Sequence, residues 1–167
     1  SLVNALTVPS LEVEPPGLDQ QYISKALGEA VKAAHKEVYT HGKLKGTDMG
    51  TTLAAALIIN NKAYVANVGD SRVYLLEGKQ LRQITTDHSI VATLLAAGVI
   101  TAQEIYTHPR RNIITRSLGI QEDVKVDIFE EELKSGISLL LCSDGLWEIV
   151  RDDMIKDILV KVKSPQS

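Results

Sequence analysis

The fold is decided by the stretch LLLCSDGLW, residues 139–147. Its first half is an apolar run typical of a buried strand, and the run ends on Asp144 and Gly145. Such a strand holds one carboxylate at the rim of a sheet on a rigid support, which suits a ligand of Mg²⁺ or Mn²⁺. Asp-Gly is also a strong turn signal, so the residues alone leave an ordinary turn open. Trp147 follows as an aromatic anchor.

Composition narrows the class of protein. A chain of 167 residues with 44% hydrophobic content is enough for one globular domain. The net charge of -3 offers no broad basic face, which argues against a nucleic-acid partner. A single cysteine, Cys142, cannot form an internal disulfide, and the sequence contains neither a leader nor an apolar run long enough to cross a membrane. We therefore expect a cytoplasmic protein without a membrane segment.

The organisation begins with a prediction for the first 18 residues. Three prolines, Pro9, Pro15 and Pro16, favour a linker or irregular segment over residues 1–18. From Asp19 onward, apolar residues recur at helical spacing and predict an amphipathic helix of about five turns. Asp19 is its expected N-cap, and Gly42 its expected end. Residues 19–167 are predicted to form the domain.

The middle of the chain carries a strand pattern. Short apolar runs separated by turn residues predict four strands joined by hairpins, and we interpret them as an antiparallel meander with one buried face. The predicted strands are residues 53–59, 63–68, 73–76 and 80–84.

The second half mixes helices and strands. A helix over residues 90–97 and a short helix after the capping box Thr101 to Glu104 are expected. Strand patterns then cover residues 113–119, 124–129 and 137–142, and a last helix is expected over residues 152–162. Together these elements predict an α+β sandwich.

Five motifs in this order resemble the metal-dependent protein serine/threonine phosphatases of the PP2C-like family, with the compact bacterial members nearest in style. The resemblance covers residues 20–162. The motifs are GTT at 50–52, NVGDSR at 67–72, ITTDHS at 84–89, TRSLG at 115–119 and LLCSDGLW at 140–147.

The resemblance implies a four-layer α-β-β-α sandwich of antiparallel sheets with a metal cluster at one end. It further implies that phosphoserine and phosphothreonine are hydrolysed by a water activated by Mn²⁺ or Mg²⁺. Asp144 matches a ligand of the metal centre, and Asp87 matches the residue that bacterial members use for an additional metal. Asn112 falls where those members place a flap residue near that metal.

The same resemblance makes residues 90–112 a flap beside the active site. Here His108, Arg110 and Arg111 are candidates for binding the substrate phosphate, although surface arginines are also commonly solvated charge.

Five further residues are expected to support the site without reacting. Thr51 and Thr52 match strand residues whose hydroxyls can support metal ligands. Asp70 is interpreted as a structural turn residue that caps backbone N–H groups and pairs with Arg72. Gly145 completes the Asp-Gly motif.

The sequence also departs from the family pattern. Nothing in residues 1–18 matches the upstream Asp-Gly segment whose aspartate bridges two metals, and residues 163–167 do not match the downstream Arg-Asp-Asn segment. We therefore expect a partial domain that lacks both metal-ligand segments, is incomplete at both chain ends, and has bare sheet edges. The expected partner is a phosphorylated protein, with a Ser/Thr kinase or its targets as candidates. The alternative function is a non-catalytic pseudophosphatase or regulatory binding module that retains the fold.

Overall fold

The computed structural model describes residues 19–161, so the predicted linker at residues 1–18 and the last six residues lie outside the described part. The described elements, in chain order, are α1 (Gln20–Lys45), β1 (Leu53–Ile59), β2 (Lys62–Val68), β3 (Arg72–Glu77), β4 (Gln80–Gln83), α2 (Ile90–Ala96), a 3-10 turn (Glu104–Tyr106), β5 (Asp127–Glu132), β6 (Ile137–Cys142), α3 (Asp144–Trp147) and α4 (Asp152–Lys161).

These elements stack in the expected order of four layers. One sheet has the strand order β1-β2-β5 and the other β4-β3-β6, and every pairing is antiparallel. Helix α1 packs on β2 and β5, β1 faces β3 and β6 across the sandwich, and α4 packs on β4. The α+β prediction is confirmed.

The predicted four-strand meander is wrong, because β2 and β3 do not pair. They belong to different sheets, and the chain crosses between the sheets through Gly69, Asp70 and Ser71. The reason is that both strands are buried on both faces. In β2, Val65 faces the other sheet and Val68 faces α1. A meander with one wet face could not cover both sets of side chains.

Two apolar clusters hold the layers together. Side chains of both sheets form the first, and the second joins α1 to the outer face of the β1-β2-β5 sheet. The buried members are Ala63, Val65, Val73, Leu75 and Ile84 between the sheets, and Val31, Ala66, Val68 and Leu118 under α1.

The helix caps follow the sequence at most ends. The Asp19 side chain accepts a hydrogen bond from the Gln21 N–H, which confirms the predicted N-cap of α1. The helix runs on past Gly42 to Lys45 and is closed by Gly46 at a φ of 63°. Gly42 is needed for packing instead, since a Cβ there would lie 2.9 Å from the Thr47 carbonyl oxygen.

Helix α2 begins at Ile90 as predicted, whereas the element predicted after Thr101 begins only at Glu104, with Gln103 as its N-cap. Ser89 accepts from the Ala92 N–H at the start of α2, and Glu104 accepts from both the N–H and the hydroxyl of Thr101. The capping box nevertheless starts only a 3-10 turn.

Two strand predictions need correction. Residues 113–119 form no strand and contribute only isolated bridges at Ile114 and Leu118. The strand predicted at residues 124–129 begins later, at Asp127, and continues through the acidic run to Glu132. The acidic residues are tolerated in a strand because Lys62 and Arg82 pair with Glu130 and Glu131.

The outer strands carry exposed apolar side chains. Leu57 and Ile58 on β1 and Leu141 on β6 are exposed, and within residues 19–161 each of these strands is paired along one edge only. No helix in the same part of the chain is long and apolar enough to span a bilayer.

Gly69→Ala tests the crossing between the sheets. Gly69 has a φ of +108°, and an added Cβ would overlap the Thr52 side chain, so we expect a loss of about 3 kcal/mol in the free energy of unfolding, measured with urea. Gly78→Ala is the matched control, because Gly78 has a φ of +62° and open space around it, and should cost about 1 kcal/mol. Equal losses in the two variants would contradict the close packing of this crossing.

Candidate metal and phosphate site

Asp144 lies at the rim of the β4-β3-β6 sheet, where β6 ends. Ser143 precedes it in extended conformation, and Asp144 opens the four-residue helix α3, so the stretch is neither a plain turn nor a loop. One Asp144 oxygen accepts from the Gly145 N–H at 2.8 Å, and the residue is exposed. Burial raises the pKa of the neighbouring Cys142 thiol to about 11, which keeps it protonated and unreactive at neutral pH.

Trp147 fixes this short helix to the crossing between the sheets. Its ring is buried, and its indole N–H donates to the Asp70 carbonyl oxygen at 3.0 Å. The ring also lies 3.7 Å beneath the Arg72 guanidinium. Asp70 and Asp144 are thereby brought into one neighbourhood.

The Asp144 charge disfavours ionisation of the Asp70 carboxyl group. Burial raises the pKa of Asp70, and the negative charge of Asp144 raises it further. Within residues 19–161, neither Asp70 nor Asp144 has a salt bridge. The pair is thus a place where a cation would be stabilised.

The predicted pairing of Asp70 with Arg72 is wrong, because Arg72 pairs with Asp87. Arg72 Nε lies 3.0 Å from Asp87 Oδ1, and Nη2 lies 2.7 Å from Oδ2. Both side chains are about 5% exposed, so the buried guanidinium is matched by a buried carboxylate. Asp70 lies close enough to Asp144 for that charge to raise its pKa.

Asp87 therefore has its oxygens engaged by protein donors. Besides the three bonds from Arg72, Oδ1 accepts from the Gln83 side-chain amide at 2.8 Å. Its role as a metal ligand stays a prediction. The role of Asn112 as a metal ligand also stays a prediction. Asn112 is exposed and precedes Ile114, whose backbone bridges to Ser89.

The flap, which carries the predicted basic residues, contacts the segment that follows α3. Tyr106 stacks on the Arg151 guanidinium at 3.5 Å, which joins the 3-10 turn to the link between α3 and α4. The His108 ring accepts from the Arg110 N–H at 3.1 Å. Among the described residues, Arg110 and Arg111 form no salt bridge, so both charges are available to an anion; their role in substrate binding stays a prediction.

The two threonines lie under the crossing loop. The Thr52 hydroxyl is 2.8 Å from that of Ser71, and the Thr51 backbone pairs with Leu118. Thr52 thus supports the loop that carries Asp70.

Sequence reasoning missed a second buried charge cluster, formed by His88, Arg116 and Asp127. His88 Nδ1 accepts from the Gly69 N–H at 2.9 Å, so the neutral ring carries its proton on Nε2 and donates it to Asp127 at 3.0 Å. Arg116 donates to the other Asp127 oxygen at 2.9 Å. His88 thereby anchors the loop that bears Asp70.

The charge state of Asp127 follows from this cluster. Burial alone would raise its pKa, but the hydrogen bonds from His88 and Arg116 outweigh burial and lower it. His88 and Arg116 both lie inside motifs of the resemblance, and that was the available signal. Asp127 begins β5, which contains none of the motifs, so no signal in the sequence indicated it.

The described residues do not by themselves fit a complete metal centre. Within residues 19–161, no three His, Cys, Asp or Glu side chains are close enough to hold a metal ion. Asp70 and Asp144 supply hard oxygen donors of the kind that Mg²⁺ and Mn²⁺ prefer, but a dedicated protein site uses more.

Comparison with known proteins identifies the family. A family model described as protein phosphatase 2C matches residues 6–93, more than half of the chain. The chain belongs to the protein phosphatase 2C family. The serine/threonine phosphatase stp of Listeria welshimeri is 40% identical over 149 residues, which is 88% of this chain and 59% of that protein.

Solved structures of this family have the same architecture. Serine/threonine phosphatase Stp1 from Staphylococcus aureus superimposes with a TM-score of 0.84 at 37% identity, covering 91% of this chain and 61% of that one. The catalytic domain of the serine/threonine protein phosphatase PstP, solved with two manganese ions, gives 0.76 at 34% identity, covering 87% and 60%. The chain thus spans about 60% of the length of these relatives.

Asp144→Asn tests the coupling between the two carboxylates. Because the Asp144 charge helps to raise the pKa of Asp70, the substitution should lower that pKa, as measured by carboxyl ¹³C NMR titration without metal. A raised carboxyl pKa means that stability falls as the pH rises through the folded value, so the variant should also be more stable than the parent at pH 7. Asp153→Asn removes a nearby exposed charge and should leave Asp70 unchanged. An Asp70 pKa that is the same in the parent and in Asp144→Asn would contradict the proximity of the two carboxylates.

Asp127→Asn tests the His88 cluster. The pKa of Asp127 is lowered, so its interactions stabilise the fold above about pH 4 and are lost as the pH falls through the folded value. We expect the variant to lose about 2 kcal/mol of unfolding free energy at pH 7. In acid, the difference in unfolding free energy between variant and parent, the gap, should close. Urea unfolding at several pH values measures both. The exposed Asp123→Asn control should show no gap, and a gap for Asp127→Asn that persisted in acid would refute the assignment.

Proposed function

We propose that this chain forms part of an enzyme that hydrolyses phosphoserine and phosphothreonine in proteins with Mn²⁺ or Mg²⁺. The observation that carries the proposal is the pair Asp70 and Asp144, two neighbouring carboxylates without a salt bridge among the described residues. A cation is the simplest partner for such a pair.

Asp144 is the proposed metal ligand. It is exposed and rigidly held, since α3 is fixed through the buried Trp147. Bound Mn²⁺ or Mg²⁺ would supply a water acidic enough to attack phosphorus. The family relative solved with two manganese ions supports this choice of metal. The described residues provide one wall of such a centre, and we derive no further step through the ions.

The flap is the proposed contact for the phosphate group. Arg110 and Arg111 carry charges that no described acid neutralises, and the flap is tied by Tyr106 and Arg151 to the segment that follows α3. Arginine matches the geometry of a phosphate dianion. The partner is then a phosphorylated protein, such as a Ser/Thr kinase or one of its targets, and a cytoplasmic location belongs to the same proposal.

Asp144→Ala gives the direct test. We expect the protein that contains this chain to release phosphate from a phosphothreonine peptide with Mn²⁺, and the variant to lose about 100-fold or more of that rate, since a metal ligand counts for at least as much as its supporting residues. Asp153→Asn, an exposed aspartate at the start of α4, should retain full activity.

The remaining outcomes also decide. Undiminished activity in Asp144→Ala would contradict the ligand assignment. If the parent protein neither releases phosphate nor binds Mn²⁺, the result favours the alternative, a non-catalytic pseudophosphatase or regulatory module.

A further inference from the structure

We propose that Arg72 and Asp87 are positioning residues that orient the helix bearing Asp144, and that Asp87 serves as the counter-ion of Arg72 instead of as a metal ligand. The value of that orientation for hydrolysis rests on the proposed function. The contacts that set this orientation do not depend on the proposed function.

Three side chains hold the Arg72 guanidinium, and they come from β3, from the segment after β4 and from α3. The Asp87 carboxylate accepts three hydrogen bonds from one edge of the guanidinium, at distances between 2.7 and 3.1 Å. The Tyr74 hydroxyl accepts from Nη1 at 2.8 Å, and the Trp147 ring covers its face at 3.7 Å. Arg72 is only 4% exposed, so in the intact fold its charge depends on these protein contacts instead of on water.

Both ends of the segment around Asp144 depend on this guanidinium. Trp147, the last residue of α3, stacks directly on it. Asp152, the first residue of α4, accepts from the Tyr74 hydroxyl at 3.0 Å, and Tyr74 is bonded to Arg72. The segment has two further anchors, the bond from the Trp147 indole N–H to the Asp70 carbonyl oxygen and the stacking of Arg151 on Tyr106. Arg72 contacts Trp147 directly and reaches Asp152 through Tyr74, so its position affects the orientation of Asp144.

Asp87 fixes the guanidinium in the plane that Trp147 needs. A bidentate carboxylate holds both the position and the plane of an arginine head group, which a point charge cannot do. The Gln83 amide steadies Asp87 in turn at 2.8 Å. A metal could reach these oxygens only if the pair with Arg72 opened.

The two roles of Asp87 predict opposite results in metal-free protein. A carboxylate kept for a metal repels its acidic neighbours when no metal is bound, so removing its charge leaves stability unchanged or raises it. A carboxylate that neutralises a buried arginine leaves an uncompensated charge when it is removed. The sign of the change separates the roles.

The experiment compares Asp87→Asn with the parent chain in EDTA. Trp147 is the single tryptophan, so its emission reports the anchoring of α3 without any contribution from elsewhere. We expect the emission of the native variant to shift to longer wavelength and acrylamide quenching to rise, as water reaches the ring. We also expect the unfolding constant, measured with urea, to rise about 100-fold or more.

Glu131→Gln is the matched control. Glu131 forms a bidentate pair with Arg82 at 2.8 Å on the surface, and Arg82 is 53% exposed. Its loss should change the unfolding constant by less than about five-fold and leave the Trp147 emission in place.

Arg72→Lys keeps the proposal testable if Asp87→Asn does not fold. Lysine retains the charge but neither the flat stacking surface nor the two-point contact, so the Trp147 emission should still move. Unchanged emission in this variant, or unchanged or increased metal-free stability in Asp87→Asn, would overturn the proposal. Because EDTA is present throughout, a failure of Mn²⁺ binding or phosphatase activity would count only against the proposed function.

Discussion

The buried guanidinium of Arg72 is the constraint on which the site depends. A charge with 4% exposure is stable only if it is paired and hydrogen-bonded. Asp87, Tyr74 and Trp147 meet that demand from three parts of the chain. Meeting it fixes where β3 begins, where the connection after β4 runs, and where α3 can lie. The carboxylate of Asp144 is placed at the rim as a consequence.

The division of the strands between two sheets gives Arg72 its position. Because β2 and β3 are buried on both faces, the chain must cross the sandwich between them, and Gly69 makes the tight crossing possible. The crossing delivers Asp70 and Arg72 to the same end of the sheets at which β6 delivers Asp144. His88 then holds the crossing by accepting from the Gly69 N–H. One connection thus positions both Arg72, which supports α3, and Asp70, the neighbour of Asp144.

Local features of the sequence predicted much of this fold. The strands at residues 53–59 and 137–142 and the N-cap Asp19 depend on neighbouring residues, and the structure has them. The meander failed because hairpin signals do not say which sheet a strand joins. The nearly continuous apolar run of β2 was the sign that both of its faces are covered.

The site was less predictable, because its pairings are distant in sequence. Asp144 could be placed at a sheet rim from the run that ends on it. Nothing near Arg72 indicated that Asp87, fifteen residues away, would be its partner instead of Asp70. The cluster of His88, Arg116 and Asp127 likewise joins three segments that meet only in the folded chain.

The most direct test of a cation site at Asp70 and Asp144 is paramagnetic broadening of amide NMR signals by Mn²⁺. The account predicts that the signals of Asp70 and Gly145 broaden at lower Mn²⁺ concentration than all others, and that Asp144→Asn removes this preference. The acidic run of β5, Glu130 to Glu132, is an internal comparison with three carboxylates that have basic partners. Broadening that begins at that run, or that is uniform over the chain, would contradict a cation site built by Asp144.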